Sequence, residues 1–325
     1  MKRVIGLLAV SAAACACGNT LAQTSTSTYP SRPIRILVGF TPGGTTDIIA
    51  RIVAQPMSES LGRAVVIENR PGAGANIAAE VAAKSAADGY TALAVNPGLA
   101  ISASAYTKLG YSAVRDLAPV ARIADSAHLL IVHPSLPVHS IRDLITLARA
   151  KPGALNFSSA GLGNADHFAG ELFKAEAKVN IVHVPYKGGA QAAQDTITGQ
   201  VSMYFSGILV GLPLAKAGKV RAVAVATKTR SPIAPDIPTI AESGLPSYEM
   251  ALWNALFVPS ATPKEIVARL NAETLKALAL PDVRERLAGA GAVPSGGTPE
   301  ELGAYLKTEI ERFGKIVQAI GLKLD

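Results

Sequence analysis

The chain has few of the groups with which proteins do covalent chemistry. Of its 325 residues only two are cysteine, and Cys15 and Cys17 both fall within the first two dozen positions. The remainder has no thiol nucleophile, thiolate metal site or disulfide. Charged residues make up 17% and aromatics 5% of the chain. Basic residues occur singly or in pairs without interleaved aromatics, which excludes the usual nucleic-acid footprint. No heptad is sustained. Beyond the first two dozen residues no apolar run approaches the ~20 residues that span a bilayer.

The common enzyme signatures are also missing: G-x-S-x-G, S-x-x-K, H-E-x-x-H and G-x-x-x-x-G-K. Gly72-Ala73-Gly74 and Gly161-Leu162-Gly163 begin like dinucleotide fingerprints, but Ile77 and Asp166 stand where the third glycine belongs. The five histidines, His128, His133, His139, His167 and His183, lack the spacing of a zinc set. No catalytic residue, cofactor or metal is therefore assigned. His128 and His183 fall in strand patterns and read as ordinary sheet residues.

What is present is a globular, apolar-rich chain (49%) with a formal net charge of +7. Its length suggests two packed lobes, each with its own interior. Met1-Lys2-Arg3, the apolar run Val4 to Ala16 and the small residues of Thr20-Leu21-Ala22 predict a secretory signal over 1–22, cut near Ala22. On that expectation the mature protein is exported. Lipid attachment at Cys15 or Cys17 is the alternative processing. Residues 23–29 read as a polar tether.

From Pro33 onward, short β-branched runs alternate with helical patterns. Strands are expected at 34–38, 64–68, 90–95, 128–132, 155–159, 181–184, 201–205, 220–226 and 255–258. Helices are expected at 47–57, 76–84, 140–150, 166–177 and 189–198, with two more after Thr262-Pro263-Lys264-Glu265 and Thr298-Pro299-Glu300-Glu301. Both of those segments read as capping boxes with proline at the first helical position. The alternation implies parallel βαβ units. The C-terminal helices lack a sheet of their own and should cover the first lobe, which makes that lobe discontinuous: 29–127 and 249–325, with 128–248 as the second. Crossovers of this kind make a hinge, with the ligand site in the cleft between lobes.

Three strand-to-helix loops carry the chemistry. Phe40-Thr41-Pro42-Gly43-Gly44-Thr45-Thr46-Asp47 combines two glycines with hydroxyls at a helix start, where Thr45 or Thr46 could cap and first-turn amides would point outward. Ser159-Ala160-Gly161-Leu162-Gly163-Asn164 leads into Asp166-His167, and Tyr186-Lys187-Gly188-Gly189 opens the next helix. Such helix beginnings bind anions without any basic side chain. In open α/β sheets they lie where ligands bind.

In order along the chain, seven blocks resemble the exported receptors of tripartite tricarboxylate transporters, the Bug family. They are Tyr29-Pro30-Ser31-Arg32-Pro33-Ile34; Pro42 to Asp47 with Ala50-Arg51; Val66 to Gly74; Asp88-Gly89-Tyr90-Thr91; Ala160 to Gly163 with His167; Val184 to Gly189; and Ile237 to Gly244. The resemblance covers essentially the whole mature chain. It implies a type II periplasmic-binding-protein fold, two α/β lobes closing on a ligand, and a monomer that docks on inner-membrane permease subunits. The implied ligand is a small organic carboxylate: a di- or tricarboxylate, an acidic amino acid or an aromatic acid. It would be held by loops 40–47 and 160–167. The chain departs from the family pattern at Gly39, often proline, which should loosen the approach to the first loop. It also departs at Asn96-Pro97-Gly98 and at 202–206, which lacks the usual aspartates.

The expected site has Gly43, Gly44, Thr45 and Thr46 as donors on one lobe and Gly161, Gly163 and Asn164 on the other. His167 would orient the loop or the ligand, Asp47 would cap or accept, and Phe40 and Tyr186 would form apolar walls. Asn96, Ala160, Lys187, Gly188 and Ser206 complete it. Two rivals stay open on sequence alone: a receptor of the same fold signalling to a membrane sensor kinase, and an enzyme acting on a small organic acid.

Overall fold

The first strand, β1 (Ile34–Val38), buries Ile36 and Val38 in one core and Leu37 in another. It is thus covered on both faces, as a parallel strand must be. The computed structural model describes residues 29–324, so the leader expected over 1–22 lies outside it. Helix α1 (Thr45–Leu61), β2 (Val65–Asn69), α2 (Asn76–Ala83) and β3 (Thr91–Val95) follow, and β1 pairs in parallel with both β2 and β3. After α3 (Gly98–Ala105) comes a long strand, β4 (Leu117–Val132). A second set then repeats the βαβ pattern: α4 (Ile141–Ala150), β5 (Asn156–Ser159), α5 (Ala165–Ala177), β6 (Val182–Pro185), α6 (Gly189–Ile197), β7 (Met203–Gly207), α7 (Ile208–Lys216) and β8 (Arg221–Val225). In it β5 pairs in parallel with β6 and β7. The chain returns through β9 (Ala251–Pro259) and ends with α8 (Lys264–Ala279), α9 (Pro281–Gly289), β10 (Ala292–Gly296) and α10 (Pro299–Ile320).

The sheet runs β2-β1-β3-β9-β4-β7-β5-β6, with β8 and β10 also on β4. The two parallel halves are therefore joined by the antiparallel strands β4 and β9, and these are the crossovers. The expected lobe limit at 127/128 falls inside β4, and the one at 248/249 falls just before β9. Both crossovers are hydrogen-bonded strands, not loops.

The cores divide differently from expectation. Each lobe was expected to have its own interior. Instead one apolar cluster takes Leu37, Leu130, Phe157, Trp253 and Phe313, and the other takes Ile36, Val38, Leu129, Ile131 and Val258. Neighbouring residues of one strand fall into different clusters, so the cores lie on opposite faces of the sheet and each runs through both halves. Continuous β4 is the reason.

Other differences are local. Strand β4 starts eleven residues before the expected 128, because Pro119, Asp125 and Ser126 hide its pattern. Helices α3, α7 and α9 and strand β10 were not anticipated. The box at Thr298 forms, with Glu301 N–H donating to Thr298 Oγ1 (3.2 Å) and Thr298 N–H to Glu301 Oε2 (2.8 Å). The one at Thr262 does not: Pro263 occupies the N-cap of α8 and Thr262 Oγ1 is buried without a partner among the described residues. Helix α8 packs on α1 and β4 as expected, whereas α10 packs on α3 and also reaches α5, where Phe313 meets Phe168 edge-on at 5.0 Å.

Candidate functional site

Two strand-to-helix loops, one from each half of the sheet, meet over the crossover strands. In the first, Gly43 turns at φ +82° and Gly44 is the N-cap of α1, with no side-chain cap. Thr45 and Thr46 are therefore not caps, as had been expected, but first-turn residues. The Asp47 carboxylate ties the turn together: Gly43 N–H (2.9 Å), Arg51 Nε (3.0 Å) and Asn69 Nδ2 (2.8 Å) all donate to it. Burial raises its pKa, but these donors outweigh burial and hold the carboxyl below the usual range. Asp47 is thus fully engaged in holding the turn and does not cap the helix. The first four N–H groups of a helix, counted from the N-cap, have no acceptor within it. In α1 these are Gly44, Thr45, Thr46 and Asp47, since the first intrahelical bond runs from Ile48 N–H to Gly44 C=O (3.0 Å).

In the second loop Asn164 is the N-cap of α5 and accepts from Ala165 N–H. Gly161 N–H donates to Ser159 Oγ (3.1 Å), Asn164 N–H to Gly161 C=O (3.2 Å) and Gly163 N–H to His167 Nδ1 (3.2 Å). The amides of Gly161, Gly163 and Asn164, expected as ligand donors, are thus consumed in shaping the loop. His167 is the residue that orients it. Its ring stacks on His183 (centroids 3.9 Å apart), and His183 Nε2 meets Ser159 Oγ at 2.7 Å. Burial, followed by the charge of Lys174, lowers the His167 pKa to about 4, and burial followed by His167 lowers that of His183 to about 3. Both are neutral near pH 7.

The loops approach closely. Asn96, on the turn after β3, donates from Nδ2 to Asn164 Oδ1 (3.0 Å) and Tyr106 OH donates to Leu162 C=O (3.2 Å). A Cβ on Gly74 would stand 2.0 Å from the Leu162 carbonyl oxygen, one on Gly188 1.9 Å from Thr41 Oγ1 and one on Gly207 2.0 Å from Thr45 Oγ1. Glycine at these positions lets backbone from the two halves touch. Gly39, expected to loosen the first loop, instead permits tight packing: a Cβ there would lie 2.2 Å from that of Ala75.

Between the loops lies a narrow cleft with about 330 Å³ of empty space, the solvent at its mouth included. Of the expected residues, Phe40, Gly44, Thr45, Thr46, Asn96, Ala160 and Asn164 line it. Gly43, Asp47, Gly161, Gly163 and His167 shape the loops but are not in the lining. Tyr186 turns its hydroxyl to Asp195 (2.6 Å), Lys187 is exposed, Gly188 abuts Thr41, and Ser206 is buried with its Oγ on Gly207 C=O (3.0 Å). None of these four is in the lining.

The sequence reading missed Asp166, Gly189, Tyr204, Val210 and Leu252, which complete the wall. Tyr204 OH donates to Asp166 Oδ2 at 2.7 Å, Ala160 N–H reaches the same oxygen at 3.3 Å, and His128 Nε2 meets Oδ1 at 3.1 Å. Burial, and next the Asp166 charge, push the Tyr204 phenol far up, so it stays a donor. His128, read as an ordinary sheet residue, backs the site instead. Its Nδ1 has no partner among the described residues.

No Lys or Arg lines this cavity. A larger groove between α8 and α10, with about 1820 Å³ of empty space on the same measure, includes Lys264 and Lys307 in its wall, but none of the glycine loops reaches it. Among the described residues no group of three or more His, Cys, Asp or Glu is placed to hold a metal.

Two sheet halves joined by crossover strands, with helix beginnings facing across a cleft, define a solute-binding protein of the periplasmic-binding-protein type. The periplasmic binding protein BugD superposes with a TM-score of 0.88 at 31% identity, over 91% of this chain and 99% of that one. The chain belongs to the tripartite tricarboxylate transporter receptor family (TctC), which it matches over residues 49–322. A UPF0065 protein from the tcbD-tcbE intergenic region of Pseudomonas sp. strain P51 is 41% identical over 308 residues, covering 92% of each chain. The structure of R. palustris Rpa4515 with adipate is similar at TM-score 0.88 and 40% identity, covering 91% of this chain and 99% of that one. MatC from Rhodopseudomonas palustris with bound malate is similar at 0.86 and 33%, covering 89% and 100%.

Proposed function

We propose that this protein is an exported receptor that captures a small organic carboxylate in the interlobe cleft and delivers it, chemically unchanged, to the membrane subunits of a tripartite transporter. The observation that carries the reading is the convergence of two helix beginnings from opposite sheet halves on one narrow cleft whose wall holds no Lys or Arg. An anion there would be held by the first-turn amides of α1, by the hydroxyls of Thr45 and Thr46 and by the Asn96–Asn164 bridge. Charge-assisted hydrogen bonds of ~1.5–3 kcal/mol each allow micromolar binding after ordering costs. Similar proteins crystallised with adipate and malate support a carboxylate.

In this reading residues 29–127 and 249–325 form one lobe and 128–248 the other, with β4 and β9 flexing between them. The protein works as a periplasmic monomer after removal of residues 1–22, without a cofactor. Thermal-shift and calorimetric titration against a panel of organic acids tests it. Micromolar binding of at least one acid supports the receptor; turnover of a bound acid seen by NMR rejects it in favour of an enzyme.

A further inference from the structure

The wall of the cleft contains an acid where a receptor for an anion would be expected to have none. Asp166 is 6% exposed and lies in the first turn of α5, and three hydrogen bonds fix its carboxylate: from Tyr204 OH, from Ala160 N–H and with His128 Nε2. A carboxylate has about four acceptor positions. Two of the three contacts share Oδ2, so Oδ1 keeps one position unfilled. Asp166 is also held in place from behind, by residues far away in sequence on β4 and β7, so it cannot turn aside when a ligand enters.

We infer that Asp166 is a specificity-determining residue that reads a hydrogen-bond donor on the ligand, so that the cleft prefers hydroxy- or amino-substituted carboxylates over plain alkanoates and alkanedioates. The inference rests on the carboxylate reading above and sharpens it. A second ionised carboxylate against Asp166 would bring like charges together in a narrow cleft where water screens them poorly, with no Lys or Arg in the wall to offset them. The ligand's anionic group is therefore directed to the α1 end, at Gly44, Thr45 and Thr46. The group facing Asp166 must be an O–H or N–H. A ligand lacking the donor leaves a buried carboxylate short of a partner, and sites built around such a partner discriminate strongly against analogues without it.

The test is calorimetric titration of the full mature protein with matched acids that differ by one hydroxyl or amino group: propionate with lactate, succinate with malate and aspartate, glutarate with glutamate. At least one substituted acid should bind ten-fold or more tightly than its unsubstituted partner, and Asp166→Asn should narrow that ratio to within about three-fold. Tyr204→Phe, which loosens Asp166 without removing it, should narrow it less. Plain acids binding as well as substituted ones to the wild-type protein would overturn the inference and leave the carboxylate reading standing. Binding of none of the acids would overturn both. The wild-type ratios decide the matter even if Asp166→Asn does not fold.

Discussion

Asn96 donates its side-chain amide to Asn164 Oδ1 across 3.0 Å, and the two residues come from turns on opposite halves of the sheet. Asn164 Oδ1 simultaneously caps α5, and Asn96 Oδ1 accepts from Gly98 N–H at 2.9 Å. Each residue thus shapes its own turn and grips the other. Asn96→Ala removes the bridge in a buried setting, where a lost partner costs ~1–3 kcal/mol. Ligand affinity should fall roughly 5- to 150-fold. Titration calorimetry reads the loss, and an unchanged affinity would show that the bridge does not hold the cleft shut.

A steric wedge offers a cleaner probe of closure. Gly74 sits at φ +62° with the Leu162 carbonyl in the place of a side chain. Gly74→Ala should keep the halves apart at the cost of about 1 kcal/mol of local backbone strain. Small-angle scattering should show that saturating ligand no longer reduces the radius of gyration, while circular dichroism shows the fold retained. Compaction equal to wild type would mean that the contact yields easily.

Acid should weaken the second loop before the first. His167 and His183 titrate at about 4 and about 3 in the folded protein, against an ordinary 6.5. Between roughly pH 6.5 and 4 the unfolded chain therefore binds more protons than the folded one, and stability declines as pH falls through that window. The lowered carboxyl of Asp47 contributes loss only further down, below the usual carboxylate range. Urea midpoints measured from pH 7.5 to 4.5 should fall progressively, and His183→Phe should flatten the slope. A flat wild-type profile would contradict the buried neutral stack.

The loops were legible in the sequence because their grammar is local: strand, glycines, hydroxyl and helix within eight residues at 40–47 and nine at 159–167. The same local rules found the βαβ alternation and the Thr298 box. They failed where distant segments decide the outcome. Asp166, Tyr204 and His128 form one hydrogen-bonded set, yet each is separated from the next by 38 or more positions and only the order β4-β7-β5 brings them together. Small and polar residues likewise concealed β4, whose pairing with β9 and β10 supplies what its own sequence does not. The amides of Gly161 and Gly163 looked free although their acceptors, Ser159 and His167, are near in sequence, because the side chain that holds both acceptors in place, His183, comes from β6.

The proposed function depends most on main-chain amides at the start of α1 holding an acid group without help from any basic side chain. A crystal structure of the protein with its tightest-binding acid measures this directly. The account predicts carboxylate oxygens about 2.7–3.2 Å from first-turn amides of α1, with Asp166 facing a hydroxyl or amino group at the other end. An acid seated in the groove between α8 and α10, or paired with Lys or Arg, would contradict it.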